Sequence, residues 1–105
     1  MILNGKAKKD FILWINNQPV APYEVMLDDI PKCYLNALII EWFDSVEICI
    51  DRDCINMEMV ITDFKGIEEK QTIIDCGLEE PFHNWWKKAI KKANEIYNEK
   101  YSISQ

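Results

Sequence analysis

The sequence predicts an α+β domain: an antiparallel sheet of about five strands with two helices, in the order β-β-α-β-β-β-α. The long amphipathic C-terminal helix is expected to pack on the sheet. Three observations lead there. Residues 81–101 repeat apolar side chains with a helical period. Residues 46–76 hold three short alternating segments separated by turn residues. Residues 10–26 read as two further strands around a turn cluster. At 105 residues the chain is expected to form one domain, 1–105, with enough apolar content for a single core.

Taken in order, Asp10 to Ile15 is the first element. Phe11, Leu13 and Ile15 alternate with Ile12 and Trp14, so both faces are apolar, as in a strand covered on both sides. Asn16-Asn17-Gln18-Pro19 is a turn cluster, and Val20 to Met26 returns as a second strand, placed at an edge by Pro22. Asp28-Asp29-Ile30-Pro31 is a helix start. The following segment to Phe43 is apolar around most of a helical wheel and reads as a buried helix, with a strand over Ala37 to Phe43 as the other option. Val46 to Asp51 then alternates, Val46, Ile48 and Ile50 inward and Glu47, Cys49 and Asp51 outward; Met57 to Phe64 and Gln71 to Cys76 complete an antiparallel meander. In the last helix Phe82, Trp85, Trp86, Ala89, Ile90, Ala93, Ile96 and Tyr97 fall within a stripe about 140° wide, opposite Lys87, Lys88, Lys91 and Lys92. On this reading Trp86→Ala removes a core anchor and unfolds or badly weakens the protein.

Charge is segregated along the chain. From Glu24 to Glu80 there are fifteen carboxylates against four cations (Lys32, Arg52, Lys65 and Lys70), whereas both ends are basic. Such a split shapes the field around a protein and its choice of partners. Lysine outnumbers arginine eleven to one and Ile and Asn are abundant, a codon bias that points to a low-GC bacterium or a phage or mobile element within one.

Several function classes lose their footing. No apolar run approaches the ~20 residues of a membrane span and the N-terminus has no signal-peptide pattern, so a cytoplasmic protein is expected. Cys33, Cys49, Cys54 and Cys76 form no Cys-x-x-Cys pair and read as reduced thiols. His83 is the only histidine, which leaves nucleophilic catalysis without a neighbouring base, and Gly5, Gly66 and Gly77 are too scattered for a phosphate loop. No metal or cofactor is expected. Direct nucleic-acid binding is disfavoured because the wheel turns both tryptophans inward.

Carboxylates remain. Asp51 on one strand and Asp63-Phe64-Lys65 on the next, with Glu41 on the preceding helix, could hold a divalent ion beside a lysine. Over these four residues the chain resembles the core of the PD-(D/E)xK nucleases, and the resemblance implies a metal-dependent nuclease. The acidic mid-section is better suited to binding. Glu47, Asp51, Asp53, Glu58, Asp63, Glu68 and Glu69 are expected to form an acidic face, with carboxylates on alternate strand positions about 6.6 Å apart. The expectation is a binding or inhibitor protein that docks this face on a basic protein partner, such as a nucleic-acid-binding protein. A phage anti-defence protein, or an immunity protein or antitoxin against a basic toxin, would have this character. Homo-oligomerisation stays open.

Overall fold

The computed structural model describes residues 2–17, 31–64, 69–77 and 80–102. Three helices and three strands follow in the order α-α-β-β-β-α: α1 (Gly5–Asn16), α2 (Lys32–Ser45), β1 (Ile48–Asp53), β2 (Glu58–Asp63), β3 (Lys70–Asp75) and α3 (Phe82–Ser102). The α+β class stands. The expected five strands, two helices and β-β-α-β-β-β-α order do not.

The correction falls on the first element. Asp10 to Ile15 belongs to a helix. Its alternation was an accident of a short, wholly apolar window. Over a longer span the buried positions are Leu3, Ala7, Phe11 and Ile15, spaced by four, while Leu13 is exposed. That is the helical period, and Lys6, Lys8 and Lys9 occupy the turns between without conflict. The second strand expected at Val20 to Met26 lies outside the described residues.

α2 forms where the sequence reads as a buried helix rather than a strand, with Pro31 at its N-cap and Asp28 to Ile30 of the expected start outside the described residues, and its buried Leu35, Ile39, Trp42 and Phe43 face the core. The helix ends where Val46 donates its amide back to the carbonyls of Trp42 and Phe43, and Glu47 then takes φ 67°, a left-handed turn that aims the chain into β1. The three strands form an antiparallel meander ordered β1-β2-β3. In register, Ile50 stands opposite Ile61 and Met59 opposite Ile74. Ile48, Ile50, Met59 and Ile61 all point to one face, which α2 and α3 cover.

On α3 the buried apolar side chains are Trp85, Ala89, Ile90, Ala93 and Tyr97, and Asn94 is buried beside them. The stripe is narrower at its start than expected: Phe82 is about half exposed and Trp86 is only partly buried, so Trp85 is the principal anchor. Phe82 instead supports Arg52, whose guanidinium carbon lies 4.4 Å from the ring centroid. Trp42 joins the three helices through rings: Phe11 at 5.9 Å, Phe43 at 4.7 Å and Tyr97 at 5.0 Å between centroids. The Tyr97 hydroxyl donates to Asp10, which also pairs with Lys6 at 3.3 Å. Burial first, and then the hydrogen bond to Asp10, pushes the Tyr97 phenol well above the usual tyrosine range.

The start of α1 is capped by another helix. Asn4, the N-cap residue, makes no capping bond of its own. Asn98 on α3 accepts from the Ala7 amide at 2.8 Å and donates to the Asn4 carbonyl at 3.0 Å, and Asn94 accepts from the Asn4 amide at 3.0 Å. These bonds satisfy helix-terminal donors that would otherwise be orphaned at the α1–α3 junction. Gly5 fits here for two reasons: its φ is +58°, and a Cβ would meet the Asn98 side chain at 3.1 Å.

Candidate functional site

Strand alternation and register together fix what each sheet face carries. The covered face presents Ile48, Ile50 and Arg52 from β1, Met59, Ile61 and Asp63 from β2, and Lys70, Thr72 and Ile74 from β3. The opposite face presents three cross-strand rows: Cys49–Thr62–Gln71, Asp51–Val60–Ile73 and Asp53–Glu58–Asp75. This second face holds four carboxylates and no lysine or arginine at any of its nine positions. Asp51, Gln71, Ile73 and Asp75 are exposed on it, Cys49, Asp53, Glu58 and Val60 are half-buried, and Thr62 is buried.

The row nearest the β1–β2 turn is the most acidic. Glu58 stands directly opposite Asp53 on one side and Asp75 on the other. Asp53 is held in place by the hairpin it begins: its carboxylate accepts from the Ile55 and Asn56 amides, both at 3.1 Å, and from the Asn56 side-chain amide at 2.8 Å. The Asn56 bonds, backbone then side chain, hold its carboxyl below the usual carboxylate range, so Asp53 stays charged into more acidic solution. Met57 closes the turn at φ 57°.

The seven residues expected to form an acidic face divide accordingly. Asp51, Asp53 and Glu58 share the open face. Glu47 is exposed at the α2–β1 turn, beside that sheet but not on a strand. Asp63 points the other way and is neutralised: the Lys100 ammonium lies 2.9 Å from its carboxylate, and the Asp63 side chain is only 15 % exposed. Glu69 is exposed just before β3, accepting from the Gln71 side chain at 3.5 Å. Glu68 lies outside the described residues. Asp75 was not among the seven, and the register adds it to the face.

The arrangement does not assemble a catalytic centre from the residues that resemble the nuclease core. Asp51 and Asp63 sit on opposite faces of the sheet, so their carboxylates cannot chelate one ion. Glu41 is exposed on α2, and Lys65 lies outside the described residues. Among the described residues, no three His, Cys, Asp or Glu side chains are placed to share a metal ion. Two thiols near the site, Cys49 and Cys76, are disfavoured as thiolates. Partial burial, then the hydrogen bond Cys49 donates to Asp51 and the charges of Asp51 and Asp44, raises the Cys49 pKa; burial also leads the upward shift of Cys76.

Basic side chains collect in the helical layer. Lys87, Lys88, Lys91 and Lys92 are exposed on α3, with Lys88 bonded to Glu80 at 2.7 Å and Lys92 to Glu95 at 3.4 Å. His83 is exposed in the first turn of the same helix. Among the described residues, no helix is long and apolar enough to cross a membrane. The chain matches no known protein family, no curated protein and no solved structure.

Proposed function

We propose that the protein is an acidic binding protein of the inhibitor type, which docks the open face of its sheet on a basic protein partner. The observation that carries this reading is the Asp53–Glu58–Asp75 row. Like charges directly opposite one another on a sheet are unfavourable, and here two such pairs adjoin with no lysine or arginine among the nine described strand positions of the face. Elsewhere several carboxylates are paired: Asp63 with Lys100, Asp10 with Lys6, Glu80 with Lys88. Local conflict confined to one exposed surface is where function is expected. A basic partner groove would relieve the repulsion, and its association would be fast and salt-sensitive. Neutralising a host-defence nuclease or a basic toxin are two forms of this same chemistry.

The test is capture from a host lysate by the tagged protein, repeated with Asp51, Glu58 and Asp75 all changed to Lys. A partner that is held by the native protein, released by salt and lost in the folded triple variant supports the reading. Equal capture by both proteins ends it. A toxin or defence-system gene beside this one would choose between the two forms.

A further inference from the structure

We infer that the element received by the open sheet face is a single basic, amphipathic helix of about three turns in the partner protein; this rests on the acidic-face reading above. Three features of the face argue for it.

The first is its centre. Val60 and Ile73 are cross-strand partners in the middle row, and Ile73 is 56 % exposed. A surface built only to imitate a phosphate backbone has no use for an apolar centre. An apolar pair rimmed by Asp51, Asp53, Glu58 and Asp75 suits a stripe of apolar side chains flanked by Lys or Arg.

The second is its size. Six-residue strands at a rise of ~3.3 Å run about 20 Å, and three strands ~4.8 Å apart span about 10 Å between the outer backbones. One helix, about 10 Å across and gaining 1.5 Å per residue, covers that area with roughly 13 residues. A flat docking surface of standard size needs about 800 Å² from each partner, more than three short strands offer.

The third is its polarity. The row at the hairpin end holds Asp53, Glu58 and Asp75, and the row at the other end holds only Cys49, Thr62 and Gln71. A helix carries its positive dipole end at its N-terminus. The docked helix therefore lies along the strands with its N-terminal turn and its cations over the acidic row.

A second copy of this chain is the poorer occupant. The solvent side of its own basic helix, α3, is lined by Lys87, Lys88, Lys91, Lys92 and Glu95, with no apolar stripe to meet Ile73.

Three synthetic 14-residue peptides of equal charge test the inference by fluorescence anisotropy and amide chemical-shift mapping on the full chain. One is a helix with N-terminal lysines and a leucine stripe, one has the leucines replaced by glutamine, and one has the helix interrupted by proline. The helical leucine peptide is expected to bind about tenfold or more tightly than either control, since one buried aliphatic side chain accounts for that ratio. Its shifts should map to residues 49–53, 58–62 and 71–75. Ile73→Gln should erase the advantage while leaving the weak, salt-sensitive binding of the glutamine peptide unchanged. Glu58→Lys should weaken all three.

Equal binding of the three peptides, each weakened by Glu58→Lys, would overturn the helix inference and leave the acidic-face reading standing. Binding of none of them, or binding indifferent to Glu58→Lys, would overturn both. Self-association detected by sedimentation and abolished by Glu58→Lys would make a second copy the occupant and overturn the inference.

Discussion

Reversing the charge of Glu58 should stabilise the fold while destroying binding. Glu58 is the middle member of the Asp53–Glu58–Asp75 row. Directly paired residues on adjacent strands have Cβ atoms ~5 Å apart, and a like-charged pair there is unfavourable by about 0.2–1 kcal/mol. Coulomb's law for two unit charges at that distance in bulk water gives about 0.8 kcal/mol, within the same range. Glu58→Lys turns the Asp75 contact from repulsive to attractive, a change of about 1 kcal/mol, and the contact with Asp53 changes in the same direction. For a chain of this length, about 1 kcal/mol raises Tm by roughly 4–8 °C.

The assay is thermal unfolding followed by far-ultraviolet circular dichroism at low ionic strength, repeated at about 1 M salt, where the Debye length falls to ~3 Å and the gain should shrink. Asp63→Lys is the matched control. It reverses a carboxylate in the same strand that faces Lys100 across the core side, so it must lower Tm. The reasoning is refuted if Glu58→Lys lowers stability, or if both reversals move Tm the same way. The first result would mean that the row is not under electrostatic strain, and the argument for a binding face would lose its foundation.

Other consequences are open to measurement. Asn98→Ala leaves the buried Ala7 amide without its acceptor and should cost about 2–3 kcal/mol in urea unfolding, with Asn98→Asp recovering part of it because the acceptor returns; a loss below about 0.5 kcal/mol would contradict the shared cap. Tyr97 has a raised folded-state pKa, so its contribution is complete below the unfolded value near 10 and is lost as pH climbs from there through the folded value. Stability of the native protein should therefore fall above pH ~10 more steeply than that of Tyr97→Phe, and parallel pH profiles would show that Tyr97 is not protected. The Trp85 side chain is buried, yet its indole N–H has no hydrogen-bond partner among the described residues. Trp85→Phe removes that orphan donor along with some packing, and should cost well under the ~3–5 kcal/mol expected of Trp85→Ala; equal losses in the two variants would refute this.

The parts of the fold that could be read from the chain were those whose pattern runs long enough to have a period. The meander and α3 each repeat over many residues, and their bounds fall within two or three residues of expectation. α1 is not distinguished from a strand by Phe11 to Ile15 alone, because five consecutive apolar residues satisfy any period, and only the spacing of Leu3, Ala7, Phe11 and Ile15 discriminates. At the site, Asp51 and Glu58 were legible from their strands. The separation of Asp63 from Glu58 was also in the chain, since positions five apart on one strand point to opposite faces. Two facts were out of reach. The face of Asp75 depends on how β3 registers against β2, and the neutralisation of Asp63 comes from Lys100, 37 residues away in sequence and brought close only by packing of α3 on the sheet.

The linear segregation of charge also takes on a spatial meaning once the chain folds. The two basic ends become α1 and α3, which pack against one another and expose Lys8, Lys9, Lys87 and Lys91 in the helical layer. The acidic middle supplies α2, which exposes Glu41 and Asp44, and the sheet, whose covered face turns toward the helices and which carries Asp51, Asp53, Glu58 and Asp75 on the far side. Four carboxylates of the sheet thus lie on the side away from the lysines of α1 and α3, although α2 and α3 also expose Glu41, Asp44, Glu95 and Glu99. On the proposed reading, a basic partner would be drawn to the sheet before any contact forms, so the charge pattern would orient the encounter as well as strengthen it. The central Val60–Ile73 pair would then act only at contact range, which would divide the work: carboxylates would set the rate and orientation of arrival, and apolar burial how long the partner stays.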